Sequence, residues 1–142
     1  MRCGAALFAG LTLLLLLSGC MSGTSIVTVD PVPAGTEYQG RPVLGIIQAQ
    51  NRGMYLFNAI PLWSGKPAKP NYRRYSMFRN FLRQGYMDQM LMDEGRRLKA
   101  EKVVVANSSE ESSGWFSLWI VWTRHLRSEG IALGKTPAAE KK

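Results

Sequence analysis

The sequence predicts an α+β fold, a mainly antiparallel sheet with two helices packed on one face. Two segments, near 71–83 and 86–100, set apolar side chains at helical spacing. Runs rich in β-branched and aromatic residues lie on both sides of them, as strands require. With 46% hydrophobic residues in 142, the chain can bury one modest core, enough for a single domain.

The folded part is expected to begin at "VLGIIQAQNRGMYLFNAIPLW". Val43 to Gln50 reads as a buried strand, "NRG" as a hairpin turn, and Met54 to Ile60 as the return strand. Pro61 stops that strand because it has no N–H for a ladder, and "SGKPAKPN" is a loop. Asn71 is a candidate cap for the first helix, with Tyr75, Phe78 and Leu82 on its core face. Gly85 marks a break. A second helix, Tyr86 to Ala100, carries Met87, Met90, Leu91 and Leu98 as its apolar stripe, with Asp93 and Arg97 spaced for an i,i+4 pair. "KVVVAN" reads as a short strand, "SSEESSG" as a polar turn and "WFSLWIVWTRHL" as a well-covered strand. "SEGIALG" suggests a final turn and short strand, and "SIVTV", nearer the start, a short edge strand.

The leader explains where such a domain works. "MRCG" supplies one positive charge, and Ala5 to Leu17 is apolar except at Thr12. That run is shorter than the roughly 20 residues a membrane-spanning helix needs, and it has the layout of a secretory signal peptide. Leu17-Ser18-Gly19-Cys20 resembles a bacterial lipobox. The resemblance implies cleavage before Cys20 and acylation of its sulfur, with palmitate among the chains. Two or three acyl chains hold a protein stably at a bilayer where one holds only marginally. Position 21 is Met rather than Asp, which by the same resemblance points to the outer membrane of a double-membraned host, on its periplasmic face. The expected organisation is a signal peptide over 1–19, an acylated N-terminus and flexible tether over 20–42, a single α+β domain over 43–134 and a disordered tail over 135–142. Cys3 leaves with the leader, so the processed chain has no free thiol for a disulfide or a thiolate nucleophile.

The formal charge is +8, and no acidic residue falls between Glu37 and Asp88. Lys66, Lys69, Arg73, Arg74, Arg79 and Arg83 in that interval are candidate contacts for an anionic surface. Nucleic acid is demoted as a partner by the exported location. Trp115 and Trp119, on one face of the late strand by alternation, are candidate partner-facing aromatics. No phosphate-cradling glycine loop, nucleophile elbow or calcium loop occurs. His125, the only histidine, has no catalytic or metal partner identifiable from spacing. The sequence therefore names no catalytic residue, cofactor or metal ligand.

"YLFNAIPLWSG", "MFRNF", "GRRLKAEKVVV" and the Trp-rich strand together resemble small bacterial lipoproteins, the TRL-like family nearest among them. The chain departs from that pattern at Lys99, where such proteins often have Gly. The resemblance implies a fold and a location rather than a reaction. The expected role is a lipid-anchored structural or binding accessory whose partner is an envelope protein, an anionic lipid or a cell-wall component. The alternative is a small hydrolase-like envelope enzyme, which a concave pocket with converging acids would reveal.

Overall fold

The computed structural model describes residues 24–68, 70–71, 75–114 and 120–136, with the Tyr75 side chain left aside. Seven strands, β1 (Ser25–Asp30), β2 (Glu37–Tyr38), β3 (Arg41–Leu56), β4 (Ile60–Gly65), β5 (Tyr75–Met77), β6 (Lys102–Gly114) and β7 (Val121–Leu133), form one sheet. All their pairings are antiparallel. One helix, α1 (Gln84–Arg97), is present among the described residues. The sheet thus dominates, and the expectation of two helices on one face is corrected to a single helix on a large antiparallel sheet.

The 16-residue β3 is the spine. Along one side it pairs with β7 from Val43↔Leu133 to Leu56↔Val121. Along the other it pairs with β2, β1 and β4 in succession. The sheet order is β5-β4-β3-β7-β6, which leaves β6 as a 13-residue edge.

The expected turn at "NRG" is absent, because Asn51 is fully buried mid-strand. Its Nδ2 donates to the carbonyl oxygens of Gly65 and Phe81, both at 3.2 Å. An amide that stitches β3 to two other segments cannot also sit in a solvent-exposed hairpin tip. The chain reverses instead at Phe57 and Asn58, whose φ values of 51° and 56° and the Ala59 N–H donated to the Leu56 carbonyl make a type I′ turn.

The first expected helix is also replaced. Asn71 caps no helix; its Oδ1 accepts from the Val27 N–H at 2.9 Å and its Nδ2 donates to the Val27 carbonyl at 3.0 Å. The side-chain amide thus imitates a neighbouring strand along the free edge of β1. Tyr75–Met77 then pairs with β4. A helix of about 12 residues is marginal without an apolar face to bury, whereas the open edge of β4 offers ladder hydrogen bonds immediately. Phe78, expected in the core, is 69% exposed, while Leu82 is buried.

Several other boundaries move. The sheet takes in residues assigned to the tether, since Ser25–Asp30 pairs with β3 along its whole length, as "SIVTV" suggested. Glu37–Tyr38 turns back into β3 through Gln39 and Gly40, both at positive φ, the two-residue hairpin that "QG" favours. "SSEESSG" is not a turn but the second half of β6, and "SEGIALG" continues β7.

Helix α1 lies where the second expected helix falls, and its apolar stripe is the expected one. Met87, Met90 and Leu91 are buried, and Leu98 packs against the same cluster as Val27, Ile47, Ala49, Tyr55, Leu126 and Ala132. Gly95 permits the close approach, since a Cβ there would run into Cγ2 of Val103 on β6. The start of the helix is pinned to the sheet by Gln84, whose Nε2 donates to the Ser128 hydroxyl at 3.1 Å while its Oε1 accepts from Ser108 at 2.6 Å. At its end the Ala100 N–H reaches the Gly95 carbonyl and the Lys99 N–H the Arg96 carbonyl, with Lys99 at φ 58°. That is a Schellman cap. The surface pairs are Arg96–Asp93 and Arg97–Glu94 at i,i+3, rather than Asp93 with Arg97.

Candidate functional site

With α1 covering one face, strand alternation turns every second side chain of the sheet to the other, open face. Residues directly opposed in an antiparallel pair share a face, so the register spells out a grid. One row is Gln48, Glu129 and Asn107; the next is Gln50, Arg127 and Ser109. These six side chains line a shallow depression of about 240 Å³. On β1 the grid continues with Thr28 opposite Gln48, and Asp30 accepts a 2.7 Å hydrogen bond from Gln48 Nε2. Amides, hydroxyls, one guanidinium and the carboxylates of Glu129 and Asp30 make this a hydrogen-bonding surface suited to a polar ligand lying flat across the strands.

The following row is Arg52, His125 and Glu111. Partial burial, then Arg127 and Arg52, hold the His125 pKa below its usual value, and Glu111 opposes them only in part. The imidazole is consequently neutral at neutral pH. Among the described residues no three of His, Cys, Asp and Glu converge as metal ligands would.

On the helix face, Tyr55 is fully buried and donates its hydroxyl proton to Asn80 Oδ1 at 2.7 Å. The Arg124 guanidinium lies 5.2 Å from the ring centroid and also pairs with Glu110 at 3.1 Å. Burial raises the Tyr55 pKa, and Arg124 offsets part of that rise. These groups are structural.

A second surface occupies the end of the sheet where β3 turns into β4. Four large apolar residues of the described chain are more than half exposed: Phe78 at 69%, Phe57 at 62%, Met77 at 56% and Ile60 at 51%. All sit at this end. Ile60 pairs with Leu56, Met77 with Trp63, and the Phe78 N–H donates to the Leu62 carbonyl. Ile120, also exposed, joins them through its carbonyl, which accepts the Phe57 N–H at 2.7 Å.

Lys66, Arg79 and Arg83 are all exposed; Arg79 follows Phe78 at this end, its carbonyl accepting from Ser64, whereas Lys66 follows Gly65 at the far end of β4 and Arg83 precedes α1. Lys69, Arg73 and Arg74 lie outside the described residues, as do Cys20, Trp115 and Trp119. Trp122, opposite in alternation to that pair, is half-buried and packs on the core. Sequence reasoning singled out neither the polar grid nor Phe57 and Ile60. The alternation in "IQAQNR" signals the grid; the exposed turn at "FN" was hidden by reading the reversal at "NRG". No family model, curated protein or solved structure matches the chain. No described helix is long and apolar enough to cross a membrane.

Proposed function

We propose that this protein is a lipid-anchored envelope lipoprotein, held at the periplasmic face of the outer membrane through Cys20, that presents the open face of its sheet to an envelope partner. The observation that carries this reading is the lipobox-like Leu17-Ser18-Gly19-Cys20, followed within four residues by Thr24 at the edge of the folded sheet. A leader that joins a globular sheet so directly is consistent with an address that is removed, leaving the domain close to its anchor. The polar grid around Gln50 and Arg127 fits a wall glycan or another envelope protein as the partner. The resemblance to TRL-like lipoproteins supports the same reading. At Lys99, where the patterns part, the backbone has the left-handed φ that Gly favours.

Mass spectrometry of the mature protein tests the anchor. The expected species starts at Cys20 and carries acyl chains, while a Cys20→Ser chain keeps its leader or accumulates in the soluble fraction. An unmodified sulfur at Cys20 would refute the reading.

A further inference from the structure

We infer that the apolar end of the sheet is a membrane-docking surface, which seats the domain end-on against the bilayer that holds its own acyl chains. The inference rests on the lipid-anchored reading and deepens it.

Three observations point to a bilayer as the occupant. The first is the backbone of the two most exposed apolar residues. Phe57 and Phe78 are both at positive φ, 51° and 55°, a region that bulky side chains rarely adopt and that Gly or Asn would occupy with less strain. Both side chains remain more than half exposed among the described residues. Strained conformations of this kind concentrate where they serve a contact.

The second is the reach of the chain. Thr24 lies level with Arg52, whose N–H donates to its carbonyl. Thr24 is four positions after Cys20, and Leu56 four positions after Arg52. An extended chain gains at most about 3.6 Å per residue, so the reach of the tether is at most about the length of that last part of the strand. Acyl chains on Cys20 are thereby able to enter a bilayer that meets the apolar end. They are too closely tied to let the domain stand far from it.

The third is charge. Arg79 follows Phe78 directly and is exposed, and Lys66 is exposed past the other end of β4, beside Thr24 where the tether enters. Apolar side chains at the acyl boundary with cations at headgroup level is the arrangement by which surface-bound proteins hold to anionic lipid.

The test uses the acylated protein with Ala59→Cys in the exposed turn, labelled with a nitrobenzoxadiazole dye and placed in phosphatidylethanolamine–phosphatidylglycerol vesicles. Ser109→Cys, on the open face, is the reference. The expected result is a blue shift of the dye at position 59 and its quenching by lipids with nitroxides high on the acyl chain, with neither effect at position 109. Adding Phe57→Gly and Phe78→Gly is expected to abolish both effects without lowering the thermal midpoint, since Gly relieves the strain at each site. A dye at position 59 that stays as wet as the reference on a fully acylated chain overturns the docking surface and leaves the anchor standing. A shift that needs added envelope proteins overturns it in favour of a protein occupant, and an unacylated Cys20 overturns both readings.

Discussion

Asn51 shows how one side chain decides where a chain turns. By composition, Asn-Arg-Gly is a hairpin signal, yet the Asn51 amide is buried and both of its N–H groups are donated to the carbonyls of Gly65 and Phe81. Its Oδ1 is buried without a hydrogen-bond partner among the described residues. Replacing Asn51 by Leu leaves two carbonyls without their donor while removing one orphaned acceptor. Buried polar groups deprived of a partner cost about 1–3 kcal/mol each, so Asn51→Leu is expected to destabilise the fold by roughly 2 kcal/mol. The measurement is a urea titration in which the midpoint falls and the slope stays constant. Asn71 makes the converse point: the residue type that caps helices serves here as a bidentate imitation of a strand. A local sequence reading has no means of separating those uses, because the partner, Val27, is 44 residues away.

Among elements, α1 was the most legible. Its stripe of Met87, Met90, Leu91 and Leu98 recurs at the helical period, and that period holds wherever the sheet behind it lies. The first halves of β7 and of β6 were legible for a similar reason, being rich in β-branched and aromatic residues, whereas the continuation of β7 through "SEG" was read as a turn. The unbroken length of β3, the polar half of β6 and the strand at Tyr75–Met77 were not, since each depends on pairing with a distant segment rather than on composition. The end of α1 yields a test at this scale. Lys99 occupies the left-handed position of a Schellman cap, where a side chain costs roughly 1–2 kcal/mol relative to Gly. Glycine also loses more freedom on folding. The net expectation for Lys99→Gly is a gain of about 1 kcal/mol, visible as a raised thermal midpoint. A lowered midpoint would mean that Lys99 contributes more through its stem than the backbone strain removes.

At the scale of the whole molecule, acid stability follows from the open face. In the unfolded chain His125 takes its proton near pH 6.5, whereas in the fold burial, Arg127 and Arg52 delay protonation to lower pH. As pH falls below 6.5 the unfolded chain binds the proton first, so the native state loses stability over that range. At neutral pH and above the imidazole is uncharged in both states and adds no pH dependence. Thermal midpoints measured from about pH 7.5 downward should fall less steeply for His125→Gln than for the parent chain. The candidate site was legible only in part: the basic interval was visible, and Lys66, Arg79 and Arg83 are indeed exposed, but the grid depends on a register that no single segment reveals. The length of β3 has a final consequence. Sixteen residues at about 3.4 Å each make a strut of roughly 50 Å, with the turn at Phe57 at one end and Gly134, bonded to Pro42, at the other. On the proposed docking, the strut works as a standoff: cargo fused after Thr136 would be held about that distance from the bilayer surface.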